Sequence, residues 1–325
     1  MVLRLTMAVD RYDRHFPFFD GTVSAPHGME IRVLQVGQTV VLRDGEFRHE
    51  RMIRDGEFDI CEFSLSSYFM ARDRGIDLMA IPVFPRRLFS AGLFYVRSDA
   101  GIEKPSELVG RRVGLNSFQT TLSVLARGDL ASQYGVPWEH ITWCVANDEK
   151  VAFQAKRGVE IRNLGAGVDF GLALQQGEID ALIHPHPPPS LFAGPSPARR
   201  LFADPAAEEA TYLETHGYFP IMHVVAMRGS LLREFPNLAL DIMEMFERAR
   251  GISESYYDDP NWSLLAGGRR YFEADRRSYG ENLWRSGLQA NARNLKRFAC
   301  YMLDQELISR VPDFGELFAP ATLAT

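Results

Sequence analysis

The chain has 325 residues, 46% of them hydrophobic and 24% charged, which is enough for two domains with separate cores. A formal net charge of -6 excludes a broad basic face for nucleic acid or anionic lipid, although a few arginines can still dominate a cleft. Three widely spaced cysteines, Cys61, Cys144 and Cys300, form no C-x-x-C pair and read as packing residues in a reducing compartment.

In chain order, Leu3–Val9 alternates like a strand. No basic n-region, apolar core or cleavage site precedes it, and no apolar run has the length of a bilayer span, so the expected location is the cytoplasm, with no membrane partner. Further strands are expected at Glu30–Val36, Phe58–Cys61, Asp77–Val83 and Leu93–Arg97, with helices at Gly45–Arg54 and Ser66–Asp73. These elements make a first lobe over residues 1–97. The chain then restarts. Pro105 opens a short helix, Arg112–Asn116 is a strand, and Thr120–Tyr134 is a helix stopped by Gly135. Strands Ile141–Ala146 and Asp180–His184 flank a helix at Asp169–Gln176, giving a second lobe over 98–221. Residues 222–325 return to the first lobe through a strand at Phe219–Met227 and helices at Leu238–Arg250 and Glu281–Ile308. The two crossings, near Tyr95–Arg97 and Phe219–His223, are expected to act as a hinge.

The segment Gly56-Glu57-Phe58-Asp59-Ile60-Cys61-Glu62-Phe63-Ser64-Leu65-Ser66-Ser67-Tyr68 sets a carboxylate, hydroxyls and backbone N–H groups at the carboxyl end of a strand. Open α/β sheets bind small anions at such places. The pattern resembles the two-lobed, type II periplasmic-binding-protein-like α/β fold, with a ligand cleft between the lobes. Residues that follow the expected strands are then cleft candidates: Arg11 and Tyr12; Glu62, Ser64 and Ser66; Arg86 and Arg87; Asn116, Gln119 and Thr120; His184 and His186. His223 lies at the second crossing. Guanidinium groups grip carboxylates in a bidentate fork, so the collection suits a small aromatic or polar anion. The serines and Thr120 serve equally as helix caps, and the arginines as surface charges. His184 and His186 are only two ligands, so no metal site is expected. Glu62 sits in apolar company (Cys61, Phe63, Leu65), so burial is one route to a raised pKa and a proton-donor role; a carboxylate paired with a nearby arginine is an alternative of at least equal weight. Motifs of serine hydrolases, P-loop nucleotide binding, zinc proteases and dinucleotide binding are absent from the sequence.

Several segments, in order, resemble the 4,5-dihydroxyphthalate decarboxylase family: the stretch from Gly56 to Tyr68, Ile81-Pro82-Val83-Phe84-Pro85-Arg86-Arg87, Phe219-Pro220-Ile221-Met222-His223, Gly287-Leu288-Gln289-Ala290-Asn291, and Glu316-Leu317-Phe318-Ala319-Pro320. Two segments depart from the family's habit: Arg87-Leu88-Phe89-Ser90 has no histidine, and Asn116-Ser117-Phe118-Gln119 replaces a run with Pro, Glu and Tyr. The resemblance implies a cytoplasmic lyase of aromatic-compound degradation, acting on a hydroxylated aromatic carboxylate without an organic cofactor; a divalent metal would be an accessory at most. It implies anchoring of the spared carboxylate by Arg11, Arg86 and Arg87 with Ser64 and Gln119, and proton delivery by His184 or His223, with Glu62 next. The chain is expected to bind a small aromatic acid, to form a homo-oligomer at most, and to bind no nucleic acid. Two alternatives stay open: a binding protein for an aromatic acid, and another cytoplasmic lyase or dehydratase on the same fold.

Overall fold

A computed structural model describes residues 2–36, 48–194 and 197–325. Its strands are β1 (Leu3–Val9), β2 (Met29–Gln35), β3 (Ile60–Ser64), β4 (Leu78–Ile81), β5 (Phe94–Arg97), β6 (Arg112–Leu115), β7 (Thr142–Val145), β8 (Ile161–Asn163), β9 (Ala181–Ile183), β10 (Ala198–Arg200) and β11 (His223–Arg228). They divide between two α/β units.

The first unit comprises Met1–Arg87, Ile221–Arg293 and Pro312–Thr325. Its sheet has the order β2-β1-β3-β11-β4. β1 runs parallel to β2 and β3, and β11 is antiparallel to β3 and β4. The central strand β3 is buried along its whole length, as a strand covered on both faces must be, and it is apolar except for Glu62 and Ser64. Helix Leu238–Tyr256 sends Leu238, Ile242, Met245, Phe246 and Ala249 onto Met7, Val9, Ile60 and Val225 of the sheet, the stripe its spacing requires.

The second unit comprises Leu88–Pro220 and Asn294–Val311, with sheet order β10-β5-β9-β6-β7-β8. Helix Thr121–Tyr134 begins at its Thr120 cap and stops at Gly135, whose φ of 63° is the left-handed conformation glycine tolerates.

Three expectations are corrected. Leu93–Arg97 was expected in the first lobe, but β5 is hydrogen-bonded to β9 and β10 and so belongs to the second unit, whose start moves back to Leu88. Residues 294–311 also join that unit, so the chain passes between units four times, not twice. The expected helix Glu281–Ile308 starts only at Leu288, because Gly287 takes φ 104° and gives its N–H to Pro82 O. The helix Pro205–His216 was not anticipated, although Asp204 caps it, Pro205 opens it and Gly217 closes it. The first three residues of the helix expected at Gly45–Arg54 lie outside the described residues.

Candidate active site

β3 carries the centre of the site. All five of its residues are buried, Glu62 among them, and a carboxylate without water needs a counter-charge. Arg48 supplies it from the first turn of the helix Arg48–Asp55. The fully buried guanidinium puts Nη2 3.2 Å from Glu62 Oε1 and Nη1 3.0 Å from Asp10 Oδ2. Nε and Nη1 also donate to the backbone oxygens of Glu62 (2.7 Å) and Val36 (2.6 Å). Asp10 follows β1 directly and gives its N–H to Glu62 Oε2 at 3.0 Å. The Tyr12 hydroxyl closes a ring of polar contacts, 3.0 Å from both Asp10 Oδ2 and Glu62 Oε1.

β11 adds His223. The register pairs His223 with Ser64 and Val225 with Glu62, so the imidazole and the carboxylate stand diagonally on one face of the sheet. His223 Nδ1 lies 2.5 Å from Glu62 Oε1. A carboxylate only accepts, so Nδ1 carries the hydrogen; Nε2 has no hydrogen-bond partner among the described residues. Burial works against ionisation of Glu62, but the Arg48 guanidinium and the His223 hydrogen bond hold its carboxyl well below the usual range. Of the two readings of Glu62, the raised pKa is contradicted and the carboxylate paired with an arginine is the one its contacts match: its apolar sequence neighbours do not supply them, and Arg48 does. Burial lowers the His223 imidazole, the Glu62 hydrogen bond and charge pull it back up, and Arg86 and Arg48 press it down. At rest this gives a neutral imidazole oriented by an anionic carboxylate.

Two further imidazoles surround the ring. His49 packs its face on Phe63 (centroids 4.9 Å) and meets His223 edge to face (5.6 Å, 83°). Burial, with the Arg48 and His223 charges, keeps His49 well below its ordinary value. His15 holds the Asp10 backbone oxygen through Nδ1 at 2.8 Å, and burial pushes it down to about 4.

The predicted anchors fare differently. Arg86 is half-buried; its carbonyl receives the N–H groups of Met222 (2.8 Å) and His223 (3.2 Å), and its charge acts on both Tyr12 and His223. Ser64 and Ser66 are buried at the β3-to-helix junction with their hydroxyls 3.1 Å apart. Arg87 does not serve an anion: it is 3% exposed and committed to Arg285 O and Asn291 Oδ1 (3.1 and 2.7 Å), where it fastens a turn. Arg11 is exposed over the rings of Phe16 and Phe19, away from the carboxylates. Arg14 occupies the inner position instead, sandwiched between Tyr12 (4.1 Å) and Trp284 (4.2 Å) with Nε on Pro85 O.

Asn116, Gln119, Thr120 and His184 belong to the second unit. Gln119 is 1% exposed, and both ends of its amide hold Val151, at 3.0 and 3.1 Å, so it is a loop clamp rather than a ligand contact. The N–H groups of Phe118 and Gln119, which the sequence offers to an anion, are taken by the Glu149 carboxylate (2.6 and 3.1 Å). Thr120 is the helix cap, and exposed Asn116 holds Asn147. His184 Nδ1 accepts the His186 N–H at 3.0 Å, and burial with the His186 charge lowers it to about 4. That bond spends one nitrogen of the H-x-H pair internally. Among the described residues, no group of three or more His, Cys, Asp or Glu is arranged to hold a metal.

Sequence reasoning missed Arg48, His49 and His15, and left Asp10 out of the acting groups. Arg48 and His49 lie in a run of charged residues, Arg48-His49-Glu50-Arg51, that reads as a solvated helix face. The one available signal was that a carboxylate inside an apolar strand must find a cation.

Residues 39–160 match the family described as NMT1/THI5 like. The chain is 32% identical over 332 residues to a 4,5-dihydroxyphthalate decarboxylase of Comamonas testosteroni, covering 99% of this chain and 98% of that protein. It is 30% identical over 223 residues to a 4,5-dihydroxyphthalate decarboxylase of Pseudomonas putida, covering 66% of this chain and 83% of that one. In fold it is similar to the periplasmic aliphatic sulphonate binding protein of Escherichia coli, with a TM-score of 0.58 at 13% identity and 99% of each chain covered. On a periplasmic-binding-protein-like α/β fold, this chain belongs to the 4,5-dihydroxyphthalate decarboxylase family.

Proposed function

We propose that this protein is a carboxy-lyase that converts 4,5-dihydroxyphthalate, or a closely similar hydroxylated aromatic carboxylate, to 3,4-dihydroxybenzoate and CO2. The observation that carries the reading is the likeness over 99% of the chain to a decarboxylase of that substrate. The buried Glu62–His223 pair supplies chemistry that fits it.

Loss of CO2 straight from an aromatic ring would leave an aryl anion without an electron sink. A hydroxyl para to the carboxylate removes that obstacle. Electron release from the phenol oxygen lets the carbon bearing the carboxylate take a proton; the C–CO2 bond then breaks, and its electron pair restores the aromatic ring. The net change is uptake of one proton and release of one CO2. No organic cofactor is needed in principle, and none is part of the proposal.

His223 is assigned the proton transfer. Nε2 takes up a proton from the incoming phenol or from water, Glu62 stabilises the imidazolium through Nδ1–H, and Nε2–H then delivers the proton to the ring carbon. Arg86 is assigned the spared carboxylate, since its charge is already felt at Tyr12 and His223. His184 is the weaker candidate for delivery: its Nδ1 is taken up by the His186 N–H rather than by a carboxylate that would support an imidazolium, and burial with the His186 charge lowers it to about 4. A cytoplasmic setting belongs to the proposal; Cys61, Cys144 and Cys300 are all free thiols, as a reducing compartment keeps them. Among the described residues, no helix is long and apolar enough to cross a membrane.

The test is to mix metal-stripped protein with 4,5-dihydroxyphthalate and follow CO2 release together with the ring's ultraviolet spectrum. Conversion to 3,4-dihydroxybenzoate is expected, and a folded His223→Asn variant should turn over roughly 10²–10⁴-fold more slowly. A wild-type rate in that variant would remove His223 from its role. No conversion, with or without added divalent metal, would sink the substrate assignment.

A further inference from the structure

Glu62 Oε1 is an unusually crowded acceptor. It takes hydrogen bonds from His223 Nδ1 (2.5 Å) and the Tyr12 hydroxyl (3.0 Å), with the Arg48 guanidinium 3.2 Å away; among the described residues, Oε2 receives only the Asp10 N–H. A carboxylate oxygen offers two lone pairs, so both are in use. Each added donor draws off charge that the other would otherwise meet. Resting on the reading of His223 as the proton-transferring group, we infer that Tyr12 is a positioning residue for it: by sharing Glu62 Oε1, the Tyr12 hydroxyl loosens the carboxylate's hold on the imidazole and keeps the imidazolium a ready proton donor to carbon.

The chemistry demands such restraint. Aromatic carbon is a poor base, and a carboxylate serving His223 alone would make its imidazolium too weak an acid. The groups facing His223 are consistent with moderation: Glu62 favours its protonation, whereas Arg48, Arg86 and burial oppose it. His49 meets it as a ring driven well below its ordinary pKa, and is therefore neutral. Asp10 and His15 act one step removed, Asp10 by accepting the other half of the Tyr12 hydroxyl's donation and His15 by holding the Asp10 carbonyl. Tyr12 itself stays protonated, because burial and the Glu62 charge push its phenol up. It thus remains a donor throughout the working pH range.

The experiment is an NMR titration of the His223 imidazole C–H signals in the full chain without substrate. In Tyr12→Phe the midpoint should rise by roughly half a pH unit to one unit, the scale on which one hydrogen bond acts. Site-specific 3-fluorotyrosine at position 12 keeps the shape but donates more strongly, so it should lower the midpoint, and it covers the case in which the Phe variant fails to fold. The acid limb of the kcat/KM profile should move in the same directions. A midpoint that stays in place in both variants overturns the inference, as does a raised KM without any shift, which would make Tyr12 a substrate contact. If the midpoints move as expected but no carboxylate substrate is turned over, the decarboxylase reading fails while the coupling of Tyr12 to His223 stands.

Discussion

Glu62 in the first unit and Asp129 in the second are equally sealed from water, at 0% and 1% exposure, yet they ionise in opposite senses. Glu62 has a guanidinium at 3.2 Å and is held well below the usual carboxylate range. Asp129 sits in the helix Thr121–Tyr134 and is served by hydroxyls, Ser90 at 2.7 Å and Tyr301 at 3.2 Å. Burial raises Asp129 to about 6, and the hydroxyls and the more distant Arg297 only moderate the rise. Neutral donors do not offset the lost hydration of a buried anion; a cation in contact does. The difference also separates the two roles. An acid fixed as an anion can orient and support an imidazole, whereas an acid that titrates near 6 ties a helix to its neighbours at a cost that depends on pH.

The largest test of the contrast is to turn Glu62 into a second Asp129. Arg48→Met leaves two carboxylates buried without their cation and should cost about 3–5 kcal/mol in denaturant unfolding at neutral pH. The pH dependence should change as well. With Arg48 present, the depressed Glu62 pKa contributes stability above the unfolded value that is lost only as pH falls through the folded one. Without Arg48, stability should instead fall as pH rises through the acid range. An unfolding curve for the variant that still gained stability with rising pH would show that other groups hold Glu62 ionised.

A smaller effect is expected from Asp129→Asn. A folded pKa of about 6 against an ordinary 3.8 means that stability is fully present below about 4 and declines until pH 6. The amide cannot ionise, so the variant should gain up to about 3 kcal/mol at pH 8 relative to pH 4, measured against wild type. A parallel pair of pH curves would count against the raised value. The smallest effect belongs to Ser90→Ala, which removes one hydroxyl from Asp129. About 1 kcal/mol should be lost at pH 7, where the acid is charged, and less at pH 4.5, where it is not. Equal losses at both pH values would mean that the serine matters for packing alone.

Alternation and turn residues made most strands legible in the sequence, and β1 falls at its expected bounds, Leu3–Val9. The boundary at β5 was not legible, because a strand's apolar pattern is the same whichever sheet it joins. β3 was expected to end at Cys61, but it runs on to Ser64, since a buried Glu breaks the apolar pattern without breaking the strand. Within the candidate site, Glu62, Ser64, Arg86 and His223 could be singled out from their places after or beside strands. Arg48 and Asp10 were not, because the ring they form joins distant segments whose spacing carries no sign of contact. Arg11 and Arg14 are three positions apart and chemically identical, and only packing against Tyr12 and Trp284 tells them apart. Gln119 and Arg87 show the opposite error, side chains with ligand-like chemistry spent on the protein's own loops.

The place of β11 between β3 and β4 has a consequence for how the chain is made. Its first residue, His223, leaves the ribosome only after the whole segment 88–220 of the other unit has been synthesised. Until then β3 and β4 present unpaired inner edges, and Glu62 lacks the imidazole that shares its oxygen. A nascent chain therefore carries a half-built sheet with two open edges through much of translation, the state most prone to pairing with the wrong strand. Delivery of β11 closes the sheet and completes the reactive pair in one event, so a chain that stalls before residue 223 has neither.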